Sequence, residues 1–392
     1  MSQPPTVIVG AGLAAVRIAE QLRRNGYTDP ITIVGAESHR PYDRPPLSKH
    51  MLRGEVDNVD LKPAAFYEQN QITLQLGTAA CAIDTAAHTL TLDDGHTLQY
   101  SQLVIATGLV PRHLPEFAHL HGVCVLRSLD DCTQLRRRAA DARRAVVIGA
   151  GFIGCEVAAS LRGLELPVLL VEPQAAPLAS VLGEQVGALI ARLHRNEGVD
   201  VRTGIGVDSV SGGAAVESVT LSNGSVIDTD LVVVGIGSRP ATDWISSSGI
   251  EVADGVVCDA VGRTSAPDVW AIGDVASWHQ ADGGHNRVEH WSNVAEQAKI
   301  LAAAMLGSVP ASAPSVPYFW SDQYDIKIQC VGRPAAGDTV HVVDDDGRRF
   351  LAYYERDGAL AAVLGAGIPE KVRAARAGIA AGLPITEYMA TV

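Results

Sequence analysis

The sequence predicts an α/β protein with two parallel-sheet units, and three observations carry that prediction. An apolar run, a glycine turn and an Ala-rich stretch of helical period succeed one another at Val7-Ile8-Val9, Gly10-Ala11-Gly12 and onward to Arg24. The same succession recurs from Ala145-Val146-Val147-Ile148 through Gly149-Ala150-Gly151 and on from Phe152. In each case a second apolar run ends at a carboxylate, residues 31–34 ahead of Glu37 and residues 168–171 ahead of Glu172. Strand, tight turn, helix and strand in that order form the unit from which parallel sheets are built.

The remaining elements follow in chain order. The loop Pro41-Tyr42-Asp43-Arg44-Pro45-Pro46-Leu47-Ser48-Lys49 holds three prolines, so no regular structure is expected there. Alternation at Thr89-Leu90-Thr91-Leu92 and over 99–105, with Asp93-Asp94-Gly95 between, predicts antiparallel hairpins. A helical stretch over 130–143 precedes the second unit, and a strand over 231–234 leads into Gly235-Ile236-Gly237. From about residue 244 to 314 the chain is expected to return to its first domain. Strand-like runs at 326–331, 339–343 and 349–354, with a helical tail over 370–381, form a third region. The expected organisation is a discontinuous first domain (1–111 and 242–315), a second inserted into it (112–241) and an α+β C-terminal cap (316–392).

Bulk properties narrow the function classes. With 392 residues, 47% hydrophobic and 19% charged, the chain has the length and balance of a globular protein of two or three domains. A formal net charge of -13 argues against nucleic acid as a partner. No basic segment followed by an apolar core opens the chain, and no apolar run reaches the ~18 residues of a membrane span. No signal peptide and no membrane association are therefore expected, and a cytoplasmic location is. Cys81, Cys124, Cys132, Cys155, Cys258 and Cys330 are scattered without a CxxC. They read as buried reduced thiols rather than ligands of zinc or an iron–sulfur cluster, and no metal site is expected.

The glycine turns carry the chemistry. Gly10 makes the tight turn, Gly12 lets a diphosphate approach the backbone, and Ala15 allows helix and strand to pack closely. The helix N-terminus then faces the phosphates with its partial positive charge. Glu37 is spaced to accept both ribose hydroxyls of an adenosine half. The second fingerprint, Gly149-Ala150-Gly151-Phe152-Ile153-Gly154, is closed by Glu172. A carboxylate there favours NAD over NADP, because it accepts from a free 2′-hydroxyl and repels a 2′-phosphate. Pro173-Gln174-Ala175-Ala176 supplies no arginine to neutralise such a phosphate. Two nucleotide sites in one chain imply chemistry between them, with one dinucleotide as a redox relay and NADH passing it a hydride. FAD suits the relay, since it accepts two electrons together and releases them singly.

Three further motifs, Ile105-Ala106-Thr107-Gly108, Val234-Gly235-Ile236-Gly237 and Val269-Trp270-Ala271-Ile272-Gly273-Asp274, extend the pattern. Together these features resemble the two-dinucleotide-binding-domain flavoproteins, with two Rossmann-like domains of glutathione-reductase-like fold and a C-terminal cap. Within that superfamily the chain is most similar to the FAD-dependent NADH:ferredoxin reductases of bacterial oxygenase systems, the group of putidaredoxin reductase and the aromatic-ring dioxygenase reductase components. The stretches that carry the likeness are 41–49, Leu126-Arg127-Ser128-Leu129-Asp130-Asp131, Gly151-Phe152-Ile153-Gly154-Cys155-Glu156 and Pro317-Tyr318-Phe319-Trp320-Ser321-Asp322-Gln323-Tyr324.

The resemblance implies roles position by position. Thr107, Gly108 and Gly273 would lie along FAD, with Asp274 on its ribityl chain. Lys49 would lie near flavin N5 and pair with Glu156. Arg44 and Arg127 would contact FAD, Ala80 and Trp291 would line it, and Gly237 would lie at the NAD site. Trp320 would sit near the isoalloxazine on the side where a [2Fe-2S] ferredoxin docks, steered by basic residues such as Arg287, Lys327 and Arg333. Many relatives carry arginines where this chain has Ala176 and Ser180, which implies a weaker grip on the adenosine of NADH. The loop 41–49 contains no cysteine, which excludes the disulfide reductases and cysteine peroxidases of the superfamily. The same flavin core would also suit an NADH oxidase or a rubredoxin reductase. From a different class, it would suit an interaction protein like apoptosis-inducing factor.

Overall fold

The computed structural model describes residues 3–280, 283–308 and 316–391. The principal elements begin with β1 (Thr6–Val9), α1 (Leu13–Arg24), β2 (Ile31–Gly35), β3 (Ile72–Leu76) and β4 (Gln102–Ile105). Next come β5 (Val123–Cys124), α2 (Leu129–Asp141), β6 (Ala145–Ile148), α3 (Phe152–Gly163), β7 (Val168–Glu172), α4 (Ala179–Asn196), β8 (Asp200–Thr203) and β9 (Leu231–Val234). The last are β10 (Val269–Ala271), α5 (Trp291–Met305), β11 (Tyr318–Gln323), β12 (Ile326–Gly332), β13 (Thr339–Asp345), β14 (Phe350–Arg356), β15 (Ala359–Ala366) and α6 (Pro369–Ala380). They divide into two units. One comprises Met1–Asp43, Val59–Val110 and Ser238–Ala313; the other comprises Arg44–Asn58, Pro111–Gly237 and Pro314–Val392.

The first unit is built on a parallel sheet in the order β10-β4-β1-β2-β3. β1 is buried along its whole length, as a central strand covered on both faces must be. The small and branched residues Ala15, Ile18, Ala19 and Leu22 of α1 are fully buried, and α1 packs on α5. Residues 99–105 do not form one hairpin strand as expected. Thr97–Gln99 pairs antiparallel with Thr89–Leu92, whereas β4 joins the parallel sheet beside β1. The physical reason lies in Leu103-Val104-Ile105, three consecutive residues at 0% exposure, which suit a strand buried on both faces rather than an alternating one.

The second unit holds a parallel sheet, β8-β7-β6-β9-β5, and an antiparallel sheet, β11-β12-β15-β14-β13, against which α6 packs. Ser128 and Asp131 form a reciprocal capping box at the start of α2. The proline loop is more regular than expected, since Pro45–Ser48 forms a single 3-10 turn. Pro45 and Pro46 occupy its first positions, where the fixed φ suits a helical start and no N–H is needed. The strands β11 and β15 go beyond the runs expected of the C-terminal region.

Candidate functional site

β1, β4 and β10 run in one direction, so the turns leaving them lie on one edge of the first sheet. Ligands of open parallel sheets bind at that carboxyl edge. Gly10 has φ +109, and a Cβ there would stand 2.3 Å from Ala106 O and 2.9 Å from Thr107 N. Only glycine permits this approach. Gly273, at φ +78, comes near α1, its Cβ position lying 3.0 Å from Ala14 Cβ. The three turns therefore touch.

At Gly12 the space is open, for a Cβ would meet nothing within 4 Å, and Gly12 starts α1 without a side-chain cap. First-turn N–H groups facing open space are the setting for a phosphate. Ala15 is fully buried, as a helix–strand packing residue should be. Just past β2, Glu37 accepts the Tyr42 hydroxyl at 2.5 Å. Thr107 Oγ1 donates to Ala241 O at 2.9 Å, Gly108 has φ +66, and Gly273 N donates to Gln297 Oε1 at 2.9 Å beside half-buried Asp274. Trp291, at the start of α5, donates to Asp43 Oδ1 at 2.8 Å. Ala80 heads the strand Ala80–Asp84 of a separate antiparallel sheet, just after Gly77 and Thr78, whose N–H groups donate to Glu37 O and Gly35 O at 3.0 Å each.

The second unit repeats the construction. Gly149 has φ +94, and its Cβ would stand 2.4 Å from Gly235 O. At Gly151 nothing lies within 4 Å, and it starts α3 uncapped. A Cβ on Gly154 would stand 2.0 Å from Gly149 O, which makes glycine the only residue that lets α3 lie this close to β6. Gly237, at φ +91, borders open space. Glu172 is only 7% exposed and both its oxygens are engaged by backbone, Oε2 by Ala150 N at 2.7 Å and Oε1 by Gln174 N at 2.9 Å. This carboxylate is thus built into the glycine turn itself. Of the two positions at which the resemblance led us to expect a missing arginine, Ala176 is buried and Ser180 is exposed.

The second unit also contains a buried ion pair. Glu156 and Phe152, one helical turn apart on α3, point to the same side. Phe152 packs edge-on against Phe319 of β11 with ring centroids 5.3 Å apart. Beside that contact Glu156 Oε2 accepts Lys49 Nζ at 2.7 Å and Ser48 Oγ at 2.5 Å, while Oε1 accepts Ser321 Oγ at 2.7 Å. Ser48, Lys49, Glu156 and Ser321 are all below 5% exposure. Lys49 Nζ also donates to Pro45 O at 3.0 Å, and Ser160, the next turn of α3, donates to Ser48 O at 2.6 Å. Lys49 and Glu156 were expected to pair. Ser48 and Ser321 carried no expected role, although both stand inside the stretches that carry the family likeness. A hydroxyl next to a motif residue gives no signal of its own until the fold shows where it points.

The other expected residues fall as follows. Arg44 donates to Arg127 O at 2.6 Å, which ties the proline loop to the residue preceding the α2 cap. Trp320 lies on the face of β11 opposite Ser321, stacked on Tyr318 at 6.0 Å and with Lys327 Nζ 5.9 Å above its ring. Lys327 is half-exposed and paired with Asp322 at 3.2 Å, and Arg333 is exposed. Arg287 does not fit a steering role. Its side chain is 12% exposed and is neutralised by Asp254 and Glu289. Five cysteines are buried as expected, but Cys81 is exposed. Burial pushes the Cys132 thiol up to about 11 and the Cys258 thiol up to about 12, so neither supplies a thiolate near neutrality.

Residues 4–298 match the family described as pyridine nucleotide-disulphide oxidoreductase, and residues 318–391 match the reductase C-terminal family. The ferredoxin–NAD(+) reductase component of the p-cumate 2,3-dioxygenase system of Pseudomonas putida is 39% identical over 88% of this chain and 86% of its own. The corresponding component of the anthranilate 1,2-dioxygenase system of Burkholderia cepacia is 38% identical over 97% of this chain and 95% of its own. Among solved structures, the covalent putidaredoxin reductase–putidaredoxin complex contains a chain that superposes with a TM-score of 0.92 at 34% identity, covering 98% of this chain and 94% of that one.

Proposed function

This chain belongs to the pyridine nucleotide-disulphide oxidoreductase family, and from that premise we propose that it is the NADH:ferredoxin reductase of an oxygenase system. The observation that carries the reading is the repeated cradle. Gly10–Gly12 and Gly149–Gly151 each press one glycine against a neighbouring carbonyl and leave the next beside open space at an uncapped helix start.

The two cradles take different dinucleotides. Gly10, Gly12, Ala15 and Glu37, with Thr107, Gly108, Gly273 and Asp274 on the same sheet edge, hold FAD, and Ala80, Trp291, Arg44, Arg127 and Trp320 complete its surroundings. Gly149, Gly151, Gly154, Glu172 and Gly237 hold NADH. The division of labour is FAD binding over 1–111 and 242–315, NAD binding over 112–241, and a cap over 316–392. When bound, FAD supplies the change from two-electron to one-electron chemistry, so that one NADH and two oxidised ferredoxins give NAD+, two reduced ferredoxins and one proton. The chain's own part is to hold the two rings for hydride transfer and exclude water. Lys49, kept in place by Glu156, would offer its ammonium to the flavin and supply positive charge where negative charge accumulates on reduction.

The acceptor is a [2Fe-2S] ferredoxin that feeds a haem monooxygenase or a Rieske dioxygenase. Exposed Arg333, and Lys327, which reaches solvent despite its pair with Asp322, steer it, whereas shielded Arg287 does not. No helix among the described residues is long and apolar enough to cross a membrane. A cytoplasmic setting, where NADH is supplied, fits this reaction. The test is anaerobic titration of the FAD-loaded protein with NADH and NADPH, followed by turnover with a panel of ferredoxins. Flavin reduction at stoichiometric NADH, and reduction of at least one [2Fe-2S] ferredoxin far faster than reoxidation by air, are expected. Turnover with oxygen alone at an equal rate would make it an NADH oxidase instead.

A further inference from the structure

We propose that Ser321 and Ser48 are positioning residues for flavin reduction, setting the charge that the Lys49–Glu156 pair presents. The inference rests on the reading above, in which Lys49 serves the flavin. Glu156 takes its three side-chain donors from two separate segments, Ser48 and Lys49 from the proline loop and Ser321 from β11. The two serines occupy different oxygens, so the carboxylate is fixed in its plane.

Ser321 is the more informative of the two. It is fully buried, and its Oγ accepts Gln323 Nε2 at 3.2 Å from the same face of β11. With an amide hydrogen already directed at that oxygen, the single hydroxyl hydrogen of Ser321 is aimed at Glu156 Oε1. Gln323 therefore orients Ser321, Ser321 holds Glu156, and Glu156 holds Lys49. A structural anchor for β11 already exists in the Phe152–Phe319 contact, so the hydroxyl is not needed to seat the strand.

The electrostatic consequence has a definite sign. Hydroxyl donors draw the negative charge of Glu156 away from Lys49 and leave more of the ammonium's field for whatever lies beyond it. Removing the Ser321 hydroxyl bares Oε1, strengthens the pull of Glu156 on Lys49 and lowers the positive potential offered to a reduced flavin. The C-terminal sheet then acts on the redox centre through a residue on the face of β11 opposite Trp320.

The experiment compares wild type, Ser321→Ala, Ser321→Thr and Ser48→Ala as FAD-loaded proteins. Midpoint potentials are read by dye-equilibrated photoreduction, which needs no NADH, and hydride transfer by stopped-flow reduction with NADH. Ser321→Ala is expected to disfavour the reduced flavin about tenfold, a fall of roughly 30 mV for a two-electron couple. Hydride transfer should slow by a similar factor, Ser48→Ala should move both values the same way, and the hydroxyl of Ser321→Thr should restore most of the loss. Unchanged potential and rate in Ser321→Ala, at equal FAD content, would overturn the proposal. If Ser321→Ala fails to retain FAD, Ser48→Ala decides alone, and an unchanged potential there overturns it equally. Wild type that photoreduces but ignores NADH would instead refute the proposed function, leaving the potentials to judge the serines.

Discussion

Replacing Glu172 by Gln would test whether this carboxylate both builds the second glycine turn and selects the coenzyme. Its oxygens accept Ala150 N at 2.7 Å and Gln174 N at 2.9 Å, and the side chain is 7% exposed. An amide has only one acceptor oxygen, so one of those two N–H groups would face an NH2 donor with almost no access to water. Leaving a buried donor unmet costs about 1–3 kcal/mol, and each hydrogen bond to an ionised acceptor contributes roughly 1.5–3 kcal/mol. A ribose hydroxyl bonded to the remaining lone pairs of Glu172 would lose a similar amount. At about 1.4 kcal/mol per tenfold, KM for NADH should rise roughly 10- to 100-fold. KM for NADPH should change little, because loss of a repulsive charge offsets the loosened turn. Stopped-flow flavin reduction against both coenzymes gives the two constants, and a thermal melt reports the turn. A variant that melts earlier yet keeps wild-type affinity for NADH would show that Glu172 is a scaffold residue without a role in ribose recognition. Unchanged melting as well would refute the account of the turn.

Two further outcomes can be checked on the same preparations. Gly154→Ala pushes a Cβ to 2.0 Å from Gly149 O, so α3 must move outward at a cost of about 1–3 kcal/mol; NADH binding should weaken while the FAD content stays unchanged, whereas Ala15→Gly in the other cradle should alter little. His194 on α4 is at 0% exposure and burial, opposed by the Gln323 amide, pushes its pKa down to about 4. The unfolded chain therefore takes up this proton near pH 6.5 while the folded protein resists until about pH 4. That contribution is intact above pH 6.5 and is lost as pH falls to 4, by an amount on the order of 3 kcal/mol. Urea midpoints measured across that window should slope more steeply for wild type than for His194→Gln, and parallel slopes would contradict the assignment.

The glycine cradles were legible because their cause is local. A strand, a positive-φ glycine, an uncapped helix and a carboxylate lie within one short stretch, and no distant residue is needed to recognise them. The Lys49–Glu156 pair spans 107 positions, and only the family likeness pointed to it. Ser321 and Gln323 were beyond reach, since their role depends on which face of β11 turns toward α3. Residues 99–105 misled because a polar pair, Tyr100-Ser101, interrupts two strands that belong to different sheets. Arg287 misled because a charge in sequence carries no sign of the acids that will surround it; Asp254 lies 33 positions away. The proline loop shows the reverse error, for prolines that forbid a helix interior favour its first turn.

The strand order of the first unit also bears on how the protein is made. β4 lies between β1 and β10, and Trp270 of β10 bonds Gln102 of β4 across 168 residues of chain. At ~5–20 residues per second on the ribosome, β10 emerges roughly ten to thirty seconds after its partner. Throughout that interval β4 exposes an unpaired edge of backbone N–H and C=O groups flanked by the apolar side chains of Leu103, Val104 and Ile105, while the nucleotide fold encoded between the two is being completed. A bare strand edge of this kind invites pairing with other nascent chains. Slowed translation between β4 and β10 is thus a hazard for yield, and expression of the first unit's N-terminal part alone should give aggregates. Chaperone cover during that window would matter more than the stability of the finished fold.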